Sequence, residues 1–285
     1  MKTLSYFLVV VFLFGIITTG FINKTNPWNE LTIQASNPIN NSQLSESATI
    51  IYNRLTAINS GAFDVKTIPN THQLLISVDG KWDLEIVKKL VLQKGKFGFY
   101  EVYNKQELAA LIGNNHKLFS LIGEANSMDK STYIACVSRD KVNAINTILN
   151  SIKTDNRCKF VWDDFSDNQE VCLYALKTSN HQEALLQNNA IIRFEVQQNR
   201  NTKRYLIECD FTATATKQWA KITQRNINKP IAITMDYSLL YAPKVQSEIT
   251  GGKCQLTGSF KQIQLQCMEA IVNNGILAEP FEIVN

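Results

Sequence analysis

The sequence lacks the short patterns on which most chemistry is built. It has no C-x-x-C pair among its six cysteines, which argues against a zinc site. It has no Gly-x-Ser-x-Gly elbow to present a serine nucleophile. Its three histidines, His72, His116 and His181, stand apart in polar turns or at helix edges and read as surface residues. Strong charge bias is missing too. A formal net charge of +4, with basic residues scattered rather than striped, gives no footprint for nucleic acid. After the N-terminus no segment is apolar enough to cross a membrane.

Two apparent motifs dissolve on inspection. Gly251-Gly252-Lys253 lacks the spacing of a phosphate loop, and Cys254 stands where Ser or Thr belongs. It reads as a tight turn before a strand, because glycine tolerates positive φ. Asp163, Asp164 and Asp167 lack the alternating spacing and the glycine of a calcium loop, and read as a solvated loop. No cofactor, metal or catalytic set emerges, and the chain reads as a non-enzyme.

What is present begins with an apolar run. Leu4 to Ile22 carries no charge and is bounded by Lys2 and Lys24. About 20 apolar residues span a bilayer. Residues 1–23 therefore read as a single membrane anchor, with a cleaved signal as the alternative. Residues 24–45, rich in Asn, Ser, Thr and Pro, read as a flexible tether.

Residues 46–103 alternate helix and strand signals. A stripe at Ile51, Leu55 and Ile58 ends at Gly61; strands are expected at 63–68 and 74–78, a helix near 84–91 and a strand at 97–103. This α-β-β-α-β order fits a split βαβ, ferredoxin-like base. Residues 104–189 form an unassigned α+β region. Residues 190–285 hold strands at 191–196 and 205–211, a helix at 212–225 with Thr212 as N-cap, a strand at 231–235, and a helix at 260–272 with Ser259 as N-cap and Gly275 past its end. The cysteines Cys136, Cys158, Cys172, Cys209, Cys254 and Cys267 read as small buried hydrophobes or as disulfide partners in an undetermined pairing.

The C-terminal motifs run in a telling order: Lys221-Ile222-Thr223-Gln224-Arg225-Asn226, Lys229-Pro230-Ile231, Thr234-Met235-Asp236, Ala242-Pro243-Lys244-Val245, Ile249-Thr250-Gly251-Gly252, Gln255-Leu256-Thr257-Gly258-Ser259-Phe260 and Asn274-Gly275, with Pro280. This succession resembles the head of the first periplasmic domain of the SecD/SecDF protein-export family. Tyr52-Asn53-Arg54-Leu55 and Asp83-Leu84-Glu85 resemble steps in its base. The resemblance implies an α+β fold: a membrane helix, a ferredoxin-like base and a SecD-type head. Asp236, Ala242, Pro243, Gly252, Gly258, Gly275 and Pro280 carry the head-fold motif.

In that reading Asp236 is a turn residue bonding its own backbone. Ala242-Pro243 opens a short helix. Tyr237, Leu239, Leu240 and Tyr241 offer an apolar patch for polypeptide if they are exposed. The family's Gly-rich Asp motif is not seen after Ile22, and its later membrane helices do not follow, so a proton-driven motor is not implied. The resemblance implies a module at the inner membrane, single-pass, with its body in the periplasm. It would bind unfolded or exported polypeptide or Sec translocon subunits, without nucleic acid, its head hinging against its base. The alternative is a structural or scaffolding envelope protein that reuses the head fold.

Overall fold

The computed structural model describes residues 28–113, 117–122, 133–163, 169–178, 184–257 and 260–284. The N-terminal apolar run, His116, His181, Asp164, Asp167, Gly258 and Ser259 lie outside them. No described helix is long and apolar enough to cross a membrane.

The chain opens with β1 (Trp28–Ala35), α1 (Asn41–Ile58), β2 (Phe63–Thr67), β3 (Gln73–Asp79), α2 (Leu84–Leu92) and β4 (Phe97–Glu101). Next come α3 (Lys105–Ile112), α4 (Lys117–Ile122), β5 (Ala135–Ser138), α5 (Val142–Leu149), β6 (Cys158–Trp162) and β7 (Glu170–Lys177). It closes with β8 (Leu186–Gln187), β9 (Ile191–Gln198), β10 (Tyr205–Phe211), α6 (Ala213–Arg225), β11 (Ile231–Met235), β12 (Ser238–Tyr241), β13 (Lys253–Thr257), α7 (Gln262–Asn273) and β14 (Phe281–Val284). Helices and strands are mixed, an α+β fold.

Local sequence explains the elements. Asn40 and Gln43 form a reciprocal capping box at the start of α1, and Asn59 ends it in the left-handed conformation, φ 51°. Asp83 caps α2 by accepting from the Glu85 N–H. In β3 the burial alternates strictly, with Leu74, Ile76 and Val78 inward. Thr212 caps α6 as expected, accepting from the Ala215 N–H at 3.2 Å. At α7 the cap is Lys261, whose backbone N–H donates to the Gln264 side chain at 2.8 Å. The helix thus starts two residues later than its apolar pattern predicts.

The base departs from the expected boundaries. Its sheet has the order β14-β1-β3-β2, all antiparallel. With α1 and α2 this is the β-α-β-β-α-β order of a split βαβ unit. Two of its strands were not anticipated. Residues 28–35, read as tether, are β1, because Leu31, Ile33 and Ala35 supply an inward face that the polar composition around them hides. The fourth strand comes from the end of the chain, β14, rather than from residues 97–103.

Instead, β4 joins a separate sheet, β12-β11-β4-β8. Both β4 and β11 are apolar on two faces, because that sheet lies between two cores. Phe97, Phe99, Ile231, Ile233 and Met235 face the main core. Tyr100, Ala232 and Leu239 face Val161 and Leu176 of the middle region. The middle region has a sheet β5-β7-β6 and its own cluster around Leu108, Leu118, Ile145 and Leu173. A disulfide joins Cys136 to Cys172 across β5 and β7. Asp163, expected in a solvated loop, is half-buried and accepts a hydrogen bond from the Cys172 N–H.

One core runs across the bounds expected for a base at 46–103 and a head at 190–285. Helix α7 packs on α1 and α2 and also on β9 and β10 of the sheet β13-β10-β9. Ile33, Leu55 and Leu90 of the base share one continuous core with Phe194, Ile207 and Trp219. Phe281 of β14, 3% exposed, belongs to it as well. Phe281→Ala is expected to lower unfolding free energy by about 3–5 kcal/mol, measured by urea denaturation. A loss under about 1 kcal/mol, the range of surface changes, would show that the last strand is peripheral.

Candidate functional site: a buried arginine node and an apolar groove

Arg54 lies on the core face of α1, in step with Ile50, Ile51 and Leu55, and is 0% exposed. A guanidinium there must find acceptors for its donors. Its Nη1 donates to the carbonyls of Leu90 (3.0 Å) and Gln93 (2.6 Å). Its Nη2 donates to those of Lys94 (3.0 Å) and Gly275 (2.7 Å). The side chain therefore satisfies carbonyls freed at the end of α2 and ties them to the exit of α7. Burial pushes its pKa down to about 10, and the Asp236 carboxylate opposes that shift, so it stays charged at neutral pH.

The chain around Arg54 is correspondingly tight. Gly95 has φ +91°, and a Cβ there would lie 2.6 Å from Arg54 Nη2. Gly275, φ +101°, presents its carbonyl to the same group. Asp236 accepts from the N–H groups of Gly95 (2.9 Å) and Lys96 (2.7 Å). It was expected to bond its own neighbourhood; it reaches across the fold instead. Its backbone has φ 51°, and Tyr237 follows at φ 65°, the two-residue turn between β11 and β12. Asn188 completes the ring, accepting from Phe97 N–H and donating to Gly95 O, both at 2.9 Å.

Residues 237–241 could be an exposed patch or packed core, and Leu239 and Leu240 are core. Leu239 and Leu240 are 2% and 6% exposed, in β12, where they pack into two different cores. Tyr237 is half-buried under Lys159, whose Nζ lies 3.4 Å from the ring centroid. Tyr241 alone is exposed. No helix follows Ala242-Pro243. The Pro243 carbonyl accepts from Ile231 N–H at 3.1 Å, and residues 243–249 run as an extended strap. Gly252 makes its turn at φ +65° against Thr216, and the Pro280 carbonyl receives the Ser36 N–H at 2.9 Å. His72 is exposed. No group of three His, Cys, Asp or Glu placed to hold a metal occurs among the described residues.

Between the strap and β13 runs a groove of about 350 Å³, lined by Trp219, Ile231, Ile233, Val245, Ile249 and Cys254 among others. Thr223 on α6 pins the strap by accepting from Ile249 N–H at 2.9 Å, and Val245 N–H donates to Lys229 O. The Trp219 indole N–H is buried without a partner. Among the described residues β13 is an edge strand, paired with β10 alone. Phe211 N–H donates to Gly252 O, which sets the alternation of the ladder. Lys253, Gln255 and Thr257 therefore turn their backbone N–H and C=O away from β10, towards the free edge. The sequence signal for this was faint: a five-residue strand with polar residues at every second place.

The geometry has known counterparts. Residues 165–279 match the family model of the SecDF P1 head subdomain. The described region is SecD-like. The match begins inside the stretch left unassigned by sequence and takes in β7. SecD of Syntrophobacter fumaroxidans is 31% identical over 100 residues, covering 35% of this chain and 19% of that protein. SecD of Acidaminococcus fermentans is 33% identical over 79 residues, 28% of this chain and 19% of that protein. The chain thus spans about a fifth of the length of these curated relatives. A solved SecDF, described as a membrane component that enhances protein export, aligns with TM-score 0.54 at 15% identity over 90% of this chain and 98% of that one. SecDF crystallised in a super-membrane-facing form gives 0.56 at 15% identity, over 90% and 29% of the two chains. At such identity the likeness speaks of fold.

Arg54→Met strands four carbonyls and is expected to cost about 3 kcal/mol or more in urea unfolding. Gly95→Ala, which strains the same contacts, should lower the midpoint too. The double variant should lose clearly less than the sum of the two; strict additivity would deny that they act as one node.

Proposed function

We propose that this SecD-like chain is a non-catalytic module of protein export that takes an extended polypeptide segment into the groove beside β13. The free edge of β13 carries the reading. Its outward N–H and C=O groups line a path whose floor is apolar, the arrangement by which a peptide adds as an extra strand. Main-chain bonds would hold any sequence, while Ile231, Val245 and Ile249 would accept alternate side chains. The unpartnered Trp219 N–H supplies one buried donor for an incoming carbonyl. Such a site suits a chain that must be gripped without regard to sequence.

The apolar run Leu4 to Ile22 supports a single anchor in the inner membrane with the body in the periplasm, and the relatives' role as translocase subunits supports Sec components as partners. The shared core across α7 favours a head that acts rigidly with its base, rather than one hinging against it.

The test uses the full chain during export of a stalled secretory protein. A photo-crosslinking probe at Ser247, on the strap, should join the stalled chain, and one at Tyr241 should not. Gln255→Pro removes one outward donor at an edge position that tolerates proline. It is expected to leave the fold intact and to cut the Ser247 adduct by about three- to tenfold, one hydrogen bond's worth. Adducts at Ser247 to envelope proteins alone would favour the scaffolding role. An undiminished yield in Gln255→Pro would reject strand addition.

A further inference from the structure

Four cysteines are free in this structure, and two of them face each other: Cys209 in β10 and Cys254 in β13 are direct register partners. Directly opposite residues of an antiparallel pair project from the same face. Both here turn inward, Cys209 at 0% exposure within the main core and Cys254 packed against it from the groove wall. By the alternation that Phe211 and Gly252 set, they form a hydrogen-bonded pair. Such pairs place Cα atoms about 5.5 Å apart, inside the range a disulfide spans, with Cβ atoms at the wide end of cross-strand spacing, so closure draws β13 locally towards β10. The chain already bridges one cross-strand register pair, Cys136 with Cys172, which by the Arg139–Gln169 bond is a non-hydrogen-bonded pair. Cys158 and Cys267 face no cysteine in their own ladder or helix.

We propose that Cys209 and Cys254 are a second disulfide site, closed in an oxidising compartment by exchange with a small-molecule disulfide. Cys254, the member on the groove, loses its proton and attacks one sulfur of the disulfide, releasing one thiolate and forming a mixed disulfide. Cys209 then loses its proton and attacks the Cys254 sulfur, which expels the second thiolate. Two protein thiols are oxidised, one small disulfide is reduced to two thiols, and the two protons end on them. Burial pushes the Cys254 thiol up to about 12, so few thiolates exist in the closed fold. The bridge therefore forms while β13 is docking onto β10 and persists afterwards. It fastens the edge strand on its core side and leaves the outward groups of Gln255 free. This goes beyond polypeptide binding and does not depend on it.

The full chain, refolded in detergent with oxidised glutathione, is alkylated under denaturing conditions, digested with trypsin and mapped by mass spectrometry. Peptide 205–217 is expected joined to peptide 254–261, the link vanishing on reduction. In Cys209→Ser, the thiol of Cys254 should become fully alkylated. Alkylated Cys209 and Cys254 in the unaltered chain, whether or not Cys136 and Cys172 are joined, would overturn the proposal. So would a link from Cys254 to Cys158 or Cys267.

Discussion

A buried guanidinium needs acceptors for its donors, and the two Nη groups of Arg54 meet four carbonyls from two distant parts of the chain, while its Nε is left without a partner. That demand dictates much of what surrounds it. The residues after α2 must curl so that the Leu90, Gln93 and Lys94 carbonyls converge, and only a glycine at position 95 leaves room. The exit of α7 must pass close enough to present Gly275 O. The N–H groups left over by this curl, on Gly95 and Lys96, need an acceptor, which Asp236 supplies from the β11–β12 turn. One side chain on the first helix thereby fixes the meeting point of base sheet, junction sheet and last helix. Lys94 reinforces the contact: its backbone carbonyl accepts from Leu277 N–H, and its Nζ donates to Ala278 O.

The consequence is a body in which the head region is inserted into the base rather than strung after it. The sheet begun by β1 is finished by β14, so the entire intervening chain leaves and returns at one place. The middle region stands differently. Its principal core is its own, and it meets the rest through the outer face of β4 and β11, where Tyr237 sits beside Tyr100 and under Lys159. Burial raises the Tyr100 phenol far above its ordinary value, and burial together with nearby Lys96 lowers Lys159. This junction is smaller than the main core, and backbone pairing of Val102 with Leu176 and of Tyr103 N–H with Ala175 O crosses it. The groove lies on the main-core side of it.

How much of this could be read from sequence depends on whether a signal is local. The Thr212 cap, the strand at 74–78 and the apolar face of α2 are local and were legible, whereas the cap of α7 is Lys261. The C-terminal motif order was legible as a family likeness, because Gly252, Gly275 and Asp236 answer to backbone demands that leave few substitutes. Arg54 was visible as part of a family step, but its burial was not: nothing adjacent in sequence announces that four carbonyls wait for it. Strand β1 was masked by flanking Asn, Ser and Pro, and only pairing with β3 and β14 makes it a strand. Leu239 and Leu240 lie in a segment that is a loop in the family pattern, so exposure and packing both stayed open, but they form strand β12, where adjacent residues point to opposite faces. Both being buried requires a sheet covered on two sides, a fact of tertiary structure. The groove depends on which strand ends as an edge, which no periodicity encodes.

Native-state hydrogen exchange of the full chain tests most directly whether the arginine node and α7 fuse base and head. If they do, amides of β3, α1, β10 and α7 open with one common free energy, shared losses follow Arg54→Met, and β5–β7 of the middle region exchange from a separate, lower level. Opening of β9, β10 and β13 at a free energy distinct from that of β1 and β3, unchanged by Arg54→Met, would contradict it and restore two independent bodies.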